Sequence, residues 1–317
     1  MAEQGSPAQR PFRFGAQISG APDASGWRDT ARKVEELGYS TLLMPDHFDD
    51  QLAPVPALAA AAEATTELRL GTLVFDNDYK HPLVLAKECA TLDVLSGGRF
   101  ELGLGAGWMK TDYEQSGIVY DRPGVRIDRM LEGLAVIRGV FSGEPFSFEG
   151  EHYTITEHRG TPAPVQPGGP PILLGAGAKR MLGIAGREAD IISVNFDLAS
   201  GTIGPDALTT GTGDATRQKM EWIADAAGDR MDDIELSVTV FFAALSDNPD
   251  DLMGKVAPGF GVDLAGGYDL PHILIGSVDQ ICETLVQRRE EFGFSYIAIS
   301  GGAWEAMAPV VAKLAGT

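Results

Sequence analysis

Short apolar stretches alternate with helix-like stretches along almost the whole of this 317-residue chain. The apolar stretches resemble buried parallel strands, and the stretches between them repeat apolar residues at helical spacing. Eight predicted strands alternating with eight predicted helices are typical of an α/β (β/α)₈ TIM barrel, with a doubly wound open sheet as the alternative. The predicted strands are 12–18, 41–44, 68–75, 100–104, 172–174, 191–194, 234–245 and 296–299. The predicted helices are 25–37, 56–65, 82–95, 123–140, 180–188, 215–227, 279–292 and 304–314.

Three segments interrupt this alternation, at about 145–170, 197–214 and 246–276. The first contains a predicted hairpin that turns at Glu149-Gly150, followed by a proline-rich connector. The other two follow predicted strands, so we expect them over the C-terminal face, where barrel active sites are built. The last is glycine-rich, and we predict that it forms a lid. The chain is therefore predicted to be one barrel domain, 12–317, after a flexible N-terminal tail, 1–11.

The acidic composition narrows the range of partners. With a net charge of −20, neither nucleic acid nor an anionic membrane surface is an expected partner, because both require a basic face. The two cysteines do not make a disulfide framework, and the five scattered histidines have no metal-ligand spacing, so no metal site is predicted. The N-terminus has no apolar signal-peptide core, and no apolar run is long enough for a bilayer. We expect a cytoplasmic protein that acts on a small molecule.

A glycine-rich strand exit is the first candidate for a binding site. The stretch 96–108 contains a Gly97-Gly98 turn, an alternating strand and the exit Gly105-Ala106-Gly107-Trp108. Glycines in a strand let other groups approach the backbone closely, which suits a pocket floor at the end of a barrel strand. Trp108 either stacks on a ligand ring or plugs the barrel mouth, and the residues alone favour the plug. Thr111 lies on the same exit loop and is included among the candidate cofactor-binding residues.

The pair Asp46-His47 directly follows the second predicted strand. At the barrel mouth, a histidine whose tautomer is set by a nearby carboxylate can shuttle a proton. The alternative is a structural aspartate at a helix entry beside a partly exposed histidine. The position of Asp46-His47 in the sequence does not distinguish the proton-shuttle role from the structural role.

The stretch Gly175-Ala176-Gly177-Ala178-Lys179-Arg180 follows a predicted strand and opens a predicted helix. Small residues let backbone N–H groups face an anion, and the helix N-terminus adds positive potential. We therefore favour a phosphate-binding turn over an ordinary strand-to-helix turn. The stretch matches neither the Walker pattern nor the dinucleotide-binding fingerprint.

Taken together, these motifs resemble those of the bacterial luciferase-like superfamily of flavin- and deazaflavin-dependent oxidoreductases. Within it, the chain is most similar to the branch that uses coenzyme F420, the LLM class. The resemblance runs from about position 12 to the C-terminus. The matching motifs are Pro45-Asp46-His47-Phe48, Leu70-Gly71-Thr72-Leu73-Val74, Ser96-Gly97-Gly98-Arg99-Phe100, Gly105-Ala106-Gly107-Trp108, Asp112-Tyr113, Arg126-Ile127-Asp128-Arg129, Pro171-Ile172-Leu173-Leu174-Gly175 and Ile275-Gly276-Ser277.

The resemblance implies a set of site residues. A non-prolyl cis peptide at Leu73–Val74 would back the cofactor ring, and His47, paired with Asp46, would lie by the reacting carbon of the deazaflavin. The remaining cofactor-binding residues would be Gly107, Trp108, Thr111, Gly175, Ala176, Gly177 and Lys179. One position departs from the pattern: Trp108 stands where the sugar-phosphate dehydrogenases of this branch have a glutamate that acts in proton transfer. The resemblance therefore identifies no second acid.

The activity that the resemblance implies is hydride transfer between coenzyme F420 and a small organic substrate, by a homodimer. One alternative is an FMN-dependent two-component monooxygenase on the same fold, which would need a flavin reductase as partner and oxygen. A further alternative is a non-catalytic flavin- or deazaflavin-binding protein. The substrate and the direction of hydride transfer are not predicted.

Overall fold

The computed structural model describes residues 10–317, so most of the predicted N-terminal tail lies outside the described residues. The strands are β1 (Arg13–Gln17), β2 (Thr41–Met44), β3 (Arg69–Thr72), β4 (Phe75–Asp76), β5 (Phe100–Gly105), β6 (Pro145–Glu149), β7 (Thr154–Arg159), β8 (Ile172–Ala176), β9 (Ile191–Val194), β10 (Glu235–Val240), β11 (Phe242–Leu245), β12 (Ile273–Gly276) and β13 (Phe294–Ser300). Eight of them pair in parallel in the order β3-β2-β1-β13-β10-β9-β8-β5, and β5 returns to β3. This closure confirms the predicted barrel and excludes the open sheet.

Helices cover the outside of the barrel. They are α1 (Ala24–Glu36), α2 (Pro54–Ala64), α3 (Pro82–Ser96), α4 (Lys110–Ser116), α5 (Pro123–Phe141), α6 (Lys179–Glu188), α7 (Pro205–Thr209), α8 (Gly213–Ala227), α9 (Pro249–Val256), α10 (Leu264–Asp269), α11 (Val278–Phe292) and α12 (Ala308–Leu314). Local signals fix several ends. Ser277 and Gln280 form a capping box at the start of α11, and Gly97 ends α3 in the left-handed conformation. Among the helices of residues 10–317, none has the length and apolar character needed to cross a bilayer.

The inside of the barrel is layered. At its N-terminal end, the Arg13 guanidinium pairs with Glu101 at 2.7 Å and Glu235 at 2.6 Å, and Arg69 pairs with Glu101 at 2.5 Å. We call these four residues the barrel plug. Above the plug is an apolar layer formed by Leu43, Leu173, Ile191, Tyr296 and Ala298, against which Leu73 and Val74 pack. These two layers fill the barrel from its N-terminal end, so a cavity can open only at the C-terminal end.

The single strand predicted over 234–245 is wrong. β10 ends at Val240, and β11 leaves the barrel to pair in parallel with β12, a strand that the sequence did not reveal. The His272 carbonyl accepts from the N–H groups of both Phe241 and Phe242, at 2.9 and 3.3 Å, and this contact marks the break. An unbroken run of strand-forming residues carries no local signal for a break that a distant carbonyl creates.

The three insertions pack in different ways. The hairpin of β6 and β7 is confirmed and packs on α5, where the Glu132 carboxylate accepts the N–H groups of residues 151–153. The other two insertions share a small hydrophobic cluster. Its buried members are Phe196, Ala207, Met253, Ala257, Leu270, Ile273 and Ile275. The glycine-rich part of 246–276 is therefore folded into short helices rather than left as an open loop; Gly267, for example, packs on Met253 and Ala257.

Candidate active site

A cleft that is open to solvent on one side lies at the C-terminal ends of the barrel strands. Its wall contains nine of the eleven residues that the sequence analysis assigned to the site. These are Asp46, His47, Leu73, Val74, Gly107, Trp108, Gly175, Ala176 and Gly177. Thr111 and Lys179 do not line it. No residue of 246–276 lines it, so the lid stays a prediction; residues 195–199, which lead into the preceding insertion, form part of the wall.

The floor of the cleft is the end of β3. The Leu73–Val74 peptide bond is cis, as the resemblance implied, and the Gln17 side chain donates to the Leu73 carbonyl at 2.9 Å. Strands β5 and β8 each have a glycine beside Val74. A Cβ added to Gly105 would lie 2.7 Å from the Val74 side chain, and a Cβ added to Gly175 would lie 3.3 Å from it. These glycines therefore make room for Val74 between the strands.

His47 is held by a carboxylate from another loop. Its Nδ1 lies 2.7 Å from Asp112 Oδ2, and the Tyr79 hydroxyl donates to the same oxygen at 2.8 Å. The Trp108 ring meets the imidazole edge-on, at 5.7 Å between ring centres. With Nδ1 engaged, Nε2 is the nitrogen available to a ligand in the cleft. The carboxylate that sets the tautomer is thus Asp112, on the first turn of α4, and not the adjacent Asp46.

Asp46 serves a different contact. Its Oδ2 accepts the backbone N–H of Asp76 at 3.3 Å, which joins the loop after β2 to β4. Burial raises the pKa of Asp46 to about 6, although the bond from Asp76 and the nearby Lys80 oppose the shift. Asp46 therefore lies on the cleft wall as a carboxyl group that titrates near neutrality.

Asp76 is a site residue that the sequence analysis missed. Burial raises its pKa to about 7; the hydrogen bond from the Asp78 N–H opposes the shift, and the charge of the Asp78 carboxylate adds to it. The Tyr113 hydroxyl lies 3.0 Å from Asp76 Oδ2 and 3.1 Å from Asp78 Oδ2, and Asp78 pairs with Arg129 at 2.9 Å. Despite these carboxylates, the part of the chain that the structure describes has no group of three acidic, histidine or cysteine side chains arranged to hold a metal ion.

The exit loop of β5 packs tightly on this cluster. Gly107 has φ +77°, and a Cβ there would lie 1.8 Å from the Tyr113 hydroxyl and 2.5 Å from Asp76 Oδ2. The buried Arg126 donates to the Gly107 carbonyl at 3.3 Å and stacks on Tyr120, whose hydroxyl donates to the Trp108 carbonyl at 3.0 Å. Trp108 is therefore a fixed part of the wall beside His47.

The predicted phosphate-binding turn joins β8 to α6. No side chain caps the N-terminus of α6, so its first N–H groups remain available to an anion. Ser193 lies beside Gly175 on β9 and lines the cleft, and its buried hydroxyl has no hydrogen-bond partner within residues 10–317. Packing also requires glycine at position 177, because a Cβ there would lie 1.8 Å from the Phe196 carbonyl oxygen.

The two basic residues of the turn point away from the cleft. Arg180 pairs with Asp128 and donates to the Gly124 carbonyl at 3.3 Å, which connects α6 to α5. Lys179 Nζ lies 5.6 Å from the centre of the Trp222 ring. The position of Lys179 does not indicate the predicted direct contact with the cofactor. The backbone N–H groups of the turn are the stronger candidates for binding its phosphate.

Comparison with known proteins identifies the family. Residues 10–313 match the family described as luciferase-like monooxygenase. A Nakamurella multipartita protein named F420-dependent glucose-6-phosphate dehydrogenase is 29% identical over 273 residues, which cover 78% of this chain and 77% of that protein. An uncharacterised Mycobacterium tuberculosis protein is 32% identical over 180 residues, covering 50% of this chain and 61% of the relative. The chain thus matches only about three fifths of that relative's length.

Solved structures share the fold at low sequence identity. The coenzyme F420 dependent tetrahydromethanopterin reductase from Methanopyrus kandleri superposes with a TM-score of 0.76 at 18% identity, over 96% of this chain and 99% of that one. Monooxygenase RslO1 from Streptomyces bottropensis gives 0.73 at 21% identity, over 96% and 97%. The chain therefore belongs to the luciferase-like monooxygenase family, whose members are flavin- and deazaflavin-dependent oxidoreductases.

Proposed function

We propose that this protein transfers a hydride between coenzyme F420 and a small organic substrate in the cleft, with His47 as a proton-transfer group. The observation that carries the proposal is the fixed imidazole on the cleft wall, with Nδ1 bound to Asp112 and Nε2 available. The Nakamurella multipartita relative, which matches most of the chain, carries an F420-dependent name. That name supports the deazaflavin over FMN.

The residues present fit a flat ring with an anionic tail. Leu73 and Val74 form a floor at the end of β3, and the cleft above them is open to solvent on one side, so a flat ring can enter it. The uncapped α6 N-terminus and the unpartnered Ser193 hydroxyl offer donors to a phosphate. When bound there, a deazaflavin would supply hydride chemistry, and the chain would supply position and polarity.

His47 would exchange a proton through Nε2. When the imidazole is neutral, the hydrogen on Nδ1 points to Asp112, which leaves the Nε2 lone pair as the base. When Nε2 takes up a proton, the Asp112 carboxylate stabilises the resulting imidazolium at 2.7 Å. Tyr79 donates to the same carboxylate oxygen and keeps it in place. The mouth of the cleft includes Trp108, Phe196 and Phe241, so we expect a substrate with an apolar portion.

Parallel titrations of the full chain with oxidised F420 and with FMN test the proposal. Tryptophan fluorescence is the readout, because Trp108 lines the cleft and a bound ring would quench it. We expect tight binding of F420 and weaker binding of FMN. The matched control is Trp108→Phe, which should lose most of the quenching, while Trp27 and Trp304, buried among the core helices, continue to emit. Absence of binding by both cofactors would contradict the proposal.

An FMN-dependent monooxygenase is the second candidate, and the charge around the turn favours it. Arg180 is held by Asp128, and Asp197 lies on the cleft wall, so few basic groups face a heavily charged tail. FMN ends in a single phosphate and needs fewer basic groups to bind it. Oxygen consumption with reduced FMN, supplied by an added flavin reductase, distinguishes this activity from hydride transfer to F420.

A further inference from the structure

The Tyr113 hydroxyl contacts two carboxyl groups but has only one hydrogen atom for both contacts. Its hydroxyl oxygen is within hydrogen-bond distance of Asp76 Oδ2, at 3.0 Å, and of Asp78 Oδ2, at 3.1 Å. A phenol has one hydrogen to donate, and an ionised carboxylate has none. If both carboxylates were charged, they would have to share the single phenol hydrogen in a three-centre bond, with two like charges buried against one hydroxyl. A proton on one carboxyl group of the pair gives each contact its own hydrogen and removes that repulsion.

The partners of the two carboxyls show which one is protonated. Arg129 lies 2.9 Å from Asp78 Oδ2, so Asp78 has a guanidinium that stabilises its charge. Asp76 forms no ion pair with any lysine or arginine of residues 10–317, and besides Tyr113 it accepts only the N–H of Asp78, at 2.9 Å. The consistent arrangement has Asp76 donating to Tyr113, Tyr113 donating to Asp78, and Arg129 pairing with Asp78.

We propose that Asp76 carries a proton at neutral pH and is the second proton-transfer group of the cleft, alongside His47. The contrast with Asp112 supports the assignment: its Oδ2 receives hydrogens from both His47 and Tyr79, so it needs no proton of its own. Asp76 is 7% exposed, and that exposed part faces the cleft. The role in catalysis rests on the proposed function, whereas the protonation state does not.

Asp76 would exchange the proton that accompanies the hydride. In the reduction of a carbonyl, the reduced cofactor would supply the hydride to the substrate carbon, the C=O π bond would break, and the oxygen would take the proton from Asp76. The resulting carboxylate would regain a proton from solvent at the cleft mouth, where His47 Nε2 can also exchange protons. In the reverse oxidation, the Asp76 carboxylate would accept the alcohol proton, because both directions pass through the same transition state. The pairing therefore suits substrates that gain or lose a hydride and a proton together, such as carbonyl compounds and alcohols.

The surroundings of Asp76 carry more negative than positive charge. The titratable groups that act on Asp76 are Asp46 from the loop after β2, Asp78 and Tyr79 from its own loop, and Tyr113 from α4. The basic residues Arg126 and Arg129 of α5 contact Tyr113 and Asp78 rather than Asp76. Arg129 is engaged by Asp78, and Arg126 lies against the Tyr113 ring, at 5.8 Å from its centre. Burial and the adjacent carboxylates raise the pKa of Asp76 to about 7, against the hydrogen bonds from the Asp78 N–H and the Tyr113 hydroxyl, which lower it.

Carbon-13 NMR of the full chain without cofactor, labelled at the aspartate carboxyl carbons, tests the protonation state. The Asp76 signal is assigned by its loss in Asp76→Asn, and Asp78→Asn provides the matched assignment of its neighbour. We expect the Asp76 signal to titrate with a midpoint near pH 7. A midpoint at or below about pH 5 would overturn the proposal, because the group would then be ionised under working conditions.

The same titration with saturating F420, and separately with FMN, tests whether Asp76 faces the ligand. A bound ring would displace water from the carboxyl and move its midpoint upward. An unchanged midpoint, with fluorescence showing that the cofactor is bound, would overturn the catalytic role. If neither cofactor binds but the midpoint without cofactor is near neutrality, the proposed function fails and the protonation of Asp76 stands. The two failures are therefore distinguishable.

Discussion

The two ends of the barrel both bury carboxyl groups, but they treat them differently. In the barrel plug, Glu101 accepts from Arg13 and Arg69, and Arg13 also binds Glu235 through two nitrogens. At the cleft, burial raises the pKa of Asp46 and of Asp76, and no basic residue within residues 10–317 forms an ion pair with either. The same fold therefore neutralises buried carboxylates with guanidinium groups at one end and leaves them able to bind protons at the other.

The difference shows that buried carboxyl groups at the N-terminal ends of the strands affect stability, whereas those at the C-terminal ends can take part in proton transfer. Removing a buried carboxylate that has two guanidinium partners lowers stability, because it leaves their charges without a counter-charge. A buried carboxyl without such a partner costs stability when it ionises, but it can exchange protons with a ligand near neutral pH. We therefore expect substitutions in the plug to lower stability, and substitutions at the cleft to change activity and its pH dependence.

His47→Ala gives the largest expected effect at the cleft. Loss of the imidazole should lower kcat by about 10²- to 10⁴-fold, the usual contribution of a positioned acid–base group. Cofactor affinity should change little, whereas thermal stability should fall, because the buried Asp112 carboxylate keeps only the Tyr79 hydroxyl as a partner. Turnover, fluorescence titration and thermal unfolding measure the three quantities. Full turnover in this variant would contradict the proposed role of His47.

Glu101→Gln is the matching change in the plug. The amide would leave Arg13 and Arg69 without their shared counter-charge, in a region where the Glu101 side chain is 3% exposed. We expect the free energy of unfolding to fall by about 3 kcal/mol or more, the usual cost of breaking a buried pair. Urea unfolding at constant pH measures it. A loss below about 0.5 kcal/mol, as for exposed pairs, would show that the plug does not differ from the surface.

The pH dependence of stability should separate the two ends further. The folded-state pKa of Asp76, about 7, lies above its ordinary value of 3.8, so the folded chain binds more protons between these values. Stability contributed by the protonated group is therefore complete below about pH 4 and is lost as pH rises through about 7. The loss should amount to about 2–4 kcal/mol.

Asp76→Asn is the control for this dependence. The amide group imitates the protonated carboxyl, since it can donate to Tyr113 and accept from the Asp78 N–H. The variant should lose most of the decline with pH and should match or exceed the parent protein in stability at about pH 8. Thermal unfolding across the pH range measures both proteins. Equal slopes in the two proteins would show that Asp76 titrates at its ordinary value.

The barrel could be predicted from the sequence because each strand and helix carries its own local pattern. The position of His47 followed in the same way, since it lies directly after β2 at the end where barrel sites form. Its orientation did not follow, because Asp112, 65 residues further along the chain, supplies the bond. Asp112 and Tyr113 were noted in the sequence, but no pattern shows which loop they meet.

Asp76 was missed for a related reason. In the sequence it is one acidic residue in a polar loop after a buried strand, and its protonation depends on burial and on Tyr113, 37 residues away. The short helices of 246–276 were missed because glycine content suggested an open loop, whereas Gly267 permits close helix packing. Composition indicates which backbone conformations a segment can adopt, and the tertiary contacts determine which of them it does adopt.

The smallest predicted effect tests whether the plug depends on geometry as well as charge. Arg69 donates through Nε to Glu101 at 2.5 Å and through Nη2 to Gln166 at 3.2 Å, and these two contacts need the guanidinium fork. Arg69→Lys keeps the charge but cannot make both bonds, so we expect a loss of about 1 kcal/mol in the free energy of unfolding. Gln166→Ala is the control, because Glu101 keeps both guanidinium partners; it also removes the bonds from Gln166 to Asp93 and to the Phe100 carbonyl, so its cost is an upper limit for the second contact. If Arg69→Lys is as costly as Glu101→Gln, directional bonding outweighs charge in the plug; if it costs nothing, the paired charges alone account for the contrast with the cleft.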